Sequence, residues 1–320
     1  MKRRRFLQQT ASISVAGLAL CEARATTQDD SWLDPRRNRS LALRMRWPEG
    51  DSPCSLIVHS HGLGGGRDGG DVWGRAWQQA GFAVLHLQHP GSDTEVLRSG
   101  MRALRAAASA EHLLARVLDM QFALDEATRH SRLGEAVWSR VRLDAIGASG
   151  HSFGAVTVQA VAGQRFGRPT PGLVEPRFKA FVAFSPSPGQ GRGAAEAFAG
   201  VTRPFLAVTG SHDGDVLGHG LTTADRARVY DDLTPGRRAL LWLDGADHMT
   251  FAGNGEQPLR ARIGLLKREA GAADLEPQHH ARVAAVTTLW WRAHLLGDAE
   301  AASALRAPPG LGAKDRWRQD

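Results

Sequence analysis

Ile146 to Gly154 reads I-G-A-S-G-H-S-F-G and sets Ser152 between Gly150 and Gly154 in the spacing G-x-S-x-G. A serine hydroxyl becomes a competent nucleophile only when a neighbouring base takes its proton and a third group holds that base in the right tautomer. The chain offers both partners downstream. His248 lies in Gly245-Ala246-Asp247-His248-Met249-Thr250-Phe251, and Asp213 closes Thr209-Gly210-Ser211-His212-Asp213. Asp215 is the rival carboxylate. Asp247 adjoins His248 in sequence, so its side chain is badly placed to reach the correct ring nitrogen. The resulting chain order of serine, aspartate and histidine is one known arrangement of such relays. The oxyanion formed on attack needs backbone N–H donors. Phe153, directly after the serine, supplies one. The loop Ser60-His61-Gly62-Leu63-Gly64 supplies the other, with Leu63 as the expected donor.

These residues need elements that bring them to one place. G-x-S-x-G requires a strand, a sharp turn and a helix, with glycines keeping Cβ atoms out of the bend. Ala145 to Gly150 reads as the strand, and the run from Gly154 through Val158 as the helix. Further apolar runs at Ser55 to Ser60, Phe82 to Leu87, Ala180 to Phe184, Phe205 to Thr209 and Ala239 to Leu243 are expected strands. Leu41 to Trp47 reads as an early edge strand, and Ser31 to Ser40 as irregular. Helices are expected at Asp71 to Gln79, where Trp73 and Trp77 share a face, at Glu111 to Thr128, at Thr223 to Leu233 and at Ala281 to Leu296. Strands alternating with helices imply an α/β fold with a mostly parallel sheet covered on both faces. Such sheets place their sites at the carboxyl ends of the strands. The loops at His61, Ser152, Asp213 and His248 all follow expected strands, so all four fall on one rim. Trp73 is expected in the core, although it and the His89 to Ser92 loop are also the guesses for an acyl-pocket lining.

Of the formal charge of +7, the first 25 residues carry +4, from Lys2, Arg3, Arg4, Arg5 and Arg24 against Glu22, which leaves +3 for the rest. No basic stripe with aromatics follows, so nucleic acid is not an expected partner. Lys2 to Arg5, the apolar run Ala11 to Leu20 and Ala23-Arg24-Ala25 form an export signal with cleavage expected after Ala25. Arg3-Arg4-Arg5-Phe6-Leu7 is similar to a twin-arginine leader. The expectation is a periplasmic or secreted protein without stable membrane insertion after cleavage. It has residues 1–25 as signal, 26–306 as one domain and 307–320 as a loosely held polar tail. Cys54 is then the sole cysteine, so no intrachain disulfide can form. His59/His61 and His86/His89 lack a metal-ligand framework, and no metal or other cofactor is expected. The Gly62 to Gly66 loop lacks Gly-Lys-Ser/Thr and is not a phosphate loop.

Ser60-His61-Gly62-Leu63-Gly64 together with Gly150-His151-Ser152-Phe153-Gly154 resembles the platelet-activating-factor acetylhydrolases and their bacterial relatives of the α/β-hydrolase superfamily. Those relatives include dienelactone-hydrolase-like and polyester-hydrolase-like enzymes. The similarity covers about Leu41 to Leu296. It implies an α/β-hydrolase fold and a serine esterase without cofactor, with Ser152 as nucleophile, His248 as base, and Leu63 and Phe153 as oxyanion donors. The acetylhydrolases take their acid just after the strand following the elbow, where this chain has Ser185-Pro186-Ser187. The acid must therefore come from the next loop, which favours Asp213 and weakens transfer of a phospholipid substrate. Dienelactone hydrolases proper use a cysteine where this chain has Ser152. The short connection from Phe184 to Phe205 leaves no room for a large lid domain. The expected substrate is a small-molecule, lipid or polymer ester. An acyltransferase and a non-catalytic binding module of the same fold are the alternatives, and the oligomeric state is left open.

Overall fold

A computed structural model describes residues 24–166, 173–188, 194–215, 218, 220–254 and 268–320. The expected export signal lies outside the described residues apart from Arg24 and Ala25. Nine strands form one sheet: β1 (Thr26–Asp34), β2 (Arg39–Trp47), β3 (Cys54–Ser60), β4 (Ala83–Leu87), β5 (Val141–His151), β6 (Phe178–Phe184), β7 (Phe205–His212), β8 (Arg238–Asp247) and β9 (Arg316–Gln319). Their order is β1-β2-β4-β3-β5-β6-β7-β8-β9. The run from β4 to β8 is parallel, and β1, β2 and β9 pair antiparallel at the two sides.

Side chains alternate across a strand, so a strand buried on both faces must be apolar at every position. In β3, Leu56 and Val58 enter the core on one face while Ile57 enters the other. Phe181 and Ala183 of β6 likewise oppose Val182 and Phe184. The first face is covered by α4 (Ala110–Arg132), α5 (Phe153–Ala162) and α7 (Thr223–Asp232). The second is covered by α1 (Asp71–Gln79) and α8 (Ala272–Leu295). Trp73 and Trp77 are wholly buried there. Trp73 stacks on Phe184 at 5.4 Å, and Trp77 meets Trp291 edge-on at 5.7 Å. Truncating either to alanine would cost about 3 kcal/mol or more.

Four expectations are corrected. The stretch read as irregular holds the end of β1 (Ser31–Asp34), a turn and the first two residues of β2, and β2, paired with β1 and β4, is not an edge. β1 escapes a periodicity reading because only Trp32 and Asp34 of its nine residues are buried. Its cohesion comes from the ladder to β2 and from Trp32 packing on Trp138 at 5.5 Å. The expected loose tail ends in β9, where Arg316 lies over Trp242 at 4.5 Å and Arg318 over Tyr230 at 4.1 Å. Helix α8 begins at Ala272 rather than Ala281; Pro277 and the polar residues of its first turns hide that start from an apolar-periodicity reading.

His59, His86 and His89, all buried, and the half-buried His294 are held in the uncharged form. Burial pushes His86 down to about 3, His89 and His294 down to about 4, and His59 well below the ordinary value. The unfolded chain takes up these protons near pH 6.5 while the folded chain does not. The stability they contribute is thus complete above pH 6.5 and is lost as pH falls toward 4, by about 1.4 kcal/mol per pH unit for each histidine. Thermal melts from pH 8 to pH 4.5 should show a steep acid limb. His294→Phe, which keeps the edge-on packing against Trp290 at 4.1 Å, should make that limb shallower by one proton.

Candidate active site

Every proposed functional residue lies one to three residues past the end of a strand. His61 follows β3, Ser152 follows β5, Asp213 follows β7 and His248 follows β8. The strands are parallel, so these loops share one rim of the sheet.

The elbow forms because β5 runs directly into α5 through one residue. Ser152 has φ 56° and ψ −117°, a conformation side chains rarely adopt and one that lifts its hydroxyl clear of the sheet. Its N–H donates to the Phe184 carbonyl at 2.9 Å, which fixes the turn to β6. A Cβ on Gly154 would overlap the Ser60 carbonyl oxygen, and one on Gly150 would overlap the Gly154 carbonyl. The close approach of β3 to the elbow therefore demands both glycines.

The Ser152 hydroxyl lies 3.0 Å from His248 Nε2, and His248 Nδ1 lies 2.8 Å from Asp213 Oδ1. A carboxylate can only accept, so Nδ1 carries the proton and Nε2 is left to accept from the serine. Asp213 is wholly buried. Burial alone would raise its pKa. The Arg226 charge and the hydrogen bonds from His248 and from the Thr209 hydroxyl, at 2.8 Å to Oδ2, outweigh that and hold it below the usual carboxylate value. Arg226 Nε lies 3.1 Å from Asp213 Oδ1 and donates to the Asp213 carbonyl at 2.8 Å. Its Nη1 donates to the carbonyls of Ser185 and Pro186 at 2.8 and 3.1 Å. One buried arginine thus ties the Asp213 loop to the end of β6.

The rival carboxylates are engaged elsewhere. Asp215 accepts backbone N–H groups from Gly218 and Gly220. Asp247 pairs with Arg268 at 3.0 Å and accepts from the N–H and hydroxyl of Thr250. His151 Nε2 donates to the His248 carbonyl at 2.9 Å, with the two rings 4.7 Å apart, and so steadies His248 from its main chain.

Phe153 is the first residue of α5, so its N–H has no acceptor within the helix. A Cβ on Gly62 would lie 2.9 Å from His151 Nδ1 and 3.4 Å from Ser152 Cβ, so the loop that carries Leu63 packs directly on the elbow. The loop is braced by Gly65 N–H to the Gly62 carbonyl and by Gly64 N–H to the Ser92 carbonyl, both at 2.9 Å. The pocket guesses fare differently. Trp73 is in the core, and His89 and Ser92 are buried behind the Leu63 loop rather than lining a cleft.

Sequence reasoning missed Arg226, Thr209 and His151. Thr209 and His151 sit inside motifs already singled out, whereas nothing local marks Arg226, whose contacts reach back 12 to 41 residues. Among the described residues, no three His, Cys, Asp or Glu side chains are grouped as a metal ion would need, and no helix is long and apolar enough to cross a membrane. No protein-family model matches the sequence and no curated protein matches it, so what this arrangement does has to be derived from its own residues.

Proposed function

We propose that the protein is a serine hydrolase of the α/β-hydrolase type, exported to the periplasm or beyond, that cleaves carboxylic esters through an acyl-enzyme. The observation that carries this reading is the continuous relay from Ser152 through His248 to Asp213, at 3.0 and 2.8 Å, with its nucleophile raised on a strained turn. Ser152 Oγ attacks the ester carbonyl carbon as its proton passes to His248 Nε2. The carbonyl oxygen becomes an oxyanion held by the Leu63 and Phe153 N–H groups. Collapse expels the alcohol, which takes the proton from His248. Water, deprotonated by His248, then releases the acid and restores Ser152. The resemblance to acetylhydrolase-like and polyester-hydrolase-like enzymes supports the same chemistry. Arg3-Arg4-Arg5-Phe6-Leu7 supports the export route.

Short acyl groups, or an accessible ester on a larger molecule, suit the rim best. The described part of the connection between β6 and β7 carries only the five-residue helix Ala194–Phe198, and Ser152 stays partly exposed. Hydrolysis of p-nitrophenyl esters from acetyl to palmitoyl by the mature protein tests this. The expected profile is highest kcat/KM at acetyl to butyryl with decline beyond. A folded protein that turns over no chain length would sink the esterase reading.

A further inference from the structure

Behind the Leu63 loop lies a second polar cluster that no step above uses. His89 Nε2 is 2.9 Å from the Ser60 hydroxyl, and His89 Nδ1 is 2.9 Å from Asp119 Oδ2. All three side chains are buried, so this serine, histidine and aspartate cannot meet a substrate. Asp119 also accepts from Arg37 Nη1 at 2.8 Å and from Arg39 Nε and Nη2 at 2.8 and 2.9 Å. It is therefore a fixed carboxylate. His89 must donate to it from Nδ1 and accept the Ser60 proton at Nε2.

Arg116, three residues before Asp119 on α4, enters the same cluster wholly buried. Its Nε donates to the Ser92 hydroxyl at 2.8 Å and its Nη1 to the His61 carbonyl at 2.8 Å. Its Cζ lies 4.7 Å from the centre of the Phe153 ring. Among the described residues no carboxylate forms an ion pair with it. The Asp119 and Asp93 charges act on it only at longer range. A guanidinium is expensive to bury without a carboxylate in direct contact, and the hydrogen bonds of Arg116 converge on one place. The His61 carbonyl begins the loop that carries Leu63. Ser92 holds that loop through its own carbonyl on Gly64 N–H, and His89 N–H donates to His61 Nε2 at 3.0 Å. The Phe153 ring belongs to the residue that bears the other donor.

We propose that Arg116 is a positioning residue for the oxyanion hole: its guanidinium clamps the Leu63 loop and Phe153 to one spacing and sets a fixed positive charge behind both N–H donors. The proposal rests on the esterase reading above. Oxyanion stabilisation depends on donors already aimed at the developing charge, and a misplacement near 1 Å costs about 100-fold in rate. Lysine keeps the charge but cannot reproduce the planar fork.

The test compares wild type, Arg116→Lys and Ser92→Ala by steady-state kinetics on p-nitrophenyl butyrate and by inhibition with a trifluoromethyl ketone, which adds to Ser152 and presents an oxyanion. Arg116→Lys should lower kcat about 10- to 100-fold with little change in KM, and should raise the ketone Ki by the same factor as it lowers kcat/KM. Ser92→Ala removes one acceptor and little volume, and should show a smaller loss in the same proportion. It carries the test alone if Arg116→Lys does not fold. Variants that melt earlier yet keep wild-type kcat and ketone Ki would overturn the proposal while leaving the esterase intact. A wild-type protein inert toward both ester and ketone would remove the esterase reading and this inference with it.

Discussion

Ser152→Ala should lower kcat for a p-nitrophenyl ester by about 10⁶-fold while leaving the thermal melt close to wild type. The hydroxyl makes no contact on which the fold depends. It is hydrogen-bonded to His248 Nε2, whereas the turn itself is held by the Ser152 N–H to the Phe184 carbonyl and by packing of Gly150 and Gly154. Alanine keeps all of those. What it removes is the atom that forms the acyl bond, and no neighbouring group can take over, since Ser60 is buried and its hydroxyl is engaged by His89. Because nucleophile and base act as one unit, His248→Ala should cost about as much, and the double variant little more than either. Steady-state rates with each purified variant check this.

Asp213→Asn should lower kcat by about 10⁴-fold, whereas Asp215→Asn should stay near wild type. Asparagine fits the same space. Its amide can donate toward His248 Nδ1, which stabilises the tautomer protonated on Nε2, the form that cannot accept the serine proton. The exchange also removes the charge facing Arg226 at 3.1 Å in a wholly buried setting. Stability should fall by about 3 kcal/mol, as when one member of a buried pair is lost. Arg226 still donates to the Asp213, Ser185 and Pro186 carbonyls, so the loop should keep its path. Denaturant melts beside the kinetics separate the two losses. Asp215 accepts the Gly218 and Gly220 N–H groups of its own loop, and its variant serves as the control for general damage near the site.

The central sheet was legible because the central parts of β3 to β8 are largely buried on both faces and mostly apolar; Leu56-Ile57-Val58 and Phe181 to Phe184 are the clearest of these runs. The rim was legible for a related reason. A parallel sheet sends the residues after His59-Ser60, His151, His212 and Asp247 to the same side, so the order of strands was enough to gather Ser152, Asp213 and His248. The edges were not legible. Thr26 to Ser31 are all exposed, and Arg316 to Gln319 hold on by stacking on Trp242 and Tyr230, which no local pattern announces. Arg116 and Arg226 were missed because an arginine on a helix ordinarily reads as a solvated face. Here both point inward, and their partners lie 12 to 56 residues away in the chain. Only the folded arrangement makes them buried charges rather than surface ones. The His89 to Ser92 loop illustrates the same limit: it was a guess for the acyl pocket, and in the fold its Ser92 carbonyl and His89 N–H brace the loop that carries Leu63.

The most direct test of the central claim is covalent: treat the mature wild-type protein with a fluorophosphonate, digest it, and map the adduct by mass spectrometry. The relay predicts one adduct per chain, on Ser152, absent in Ser152→Ala and formed far more slowly in His248→Ala. A folded wild-type protein that stays unmodified at Ser152, or reacts there no faster than His248→Ala, would contradict a serine nucleophile activated by His248.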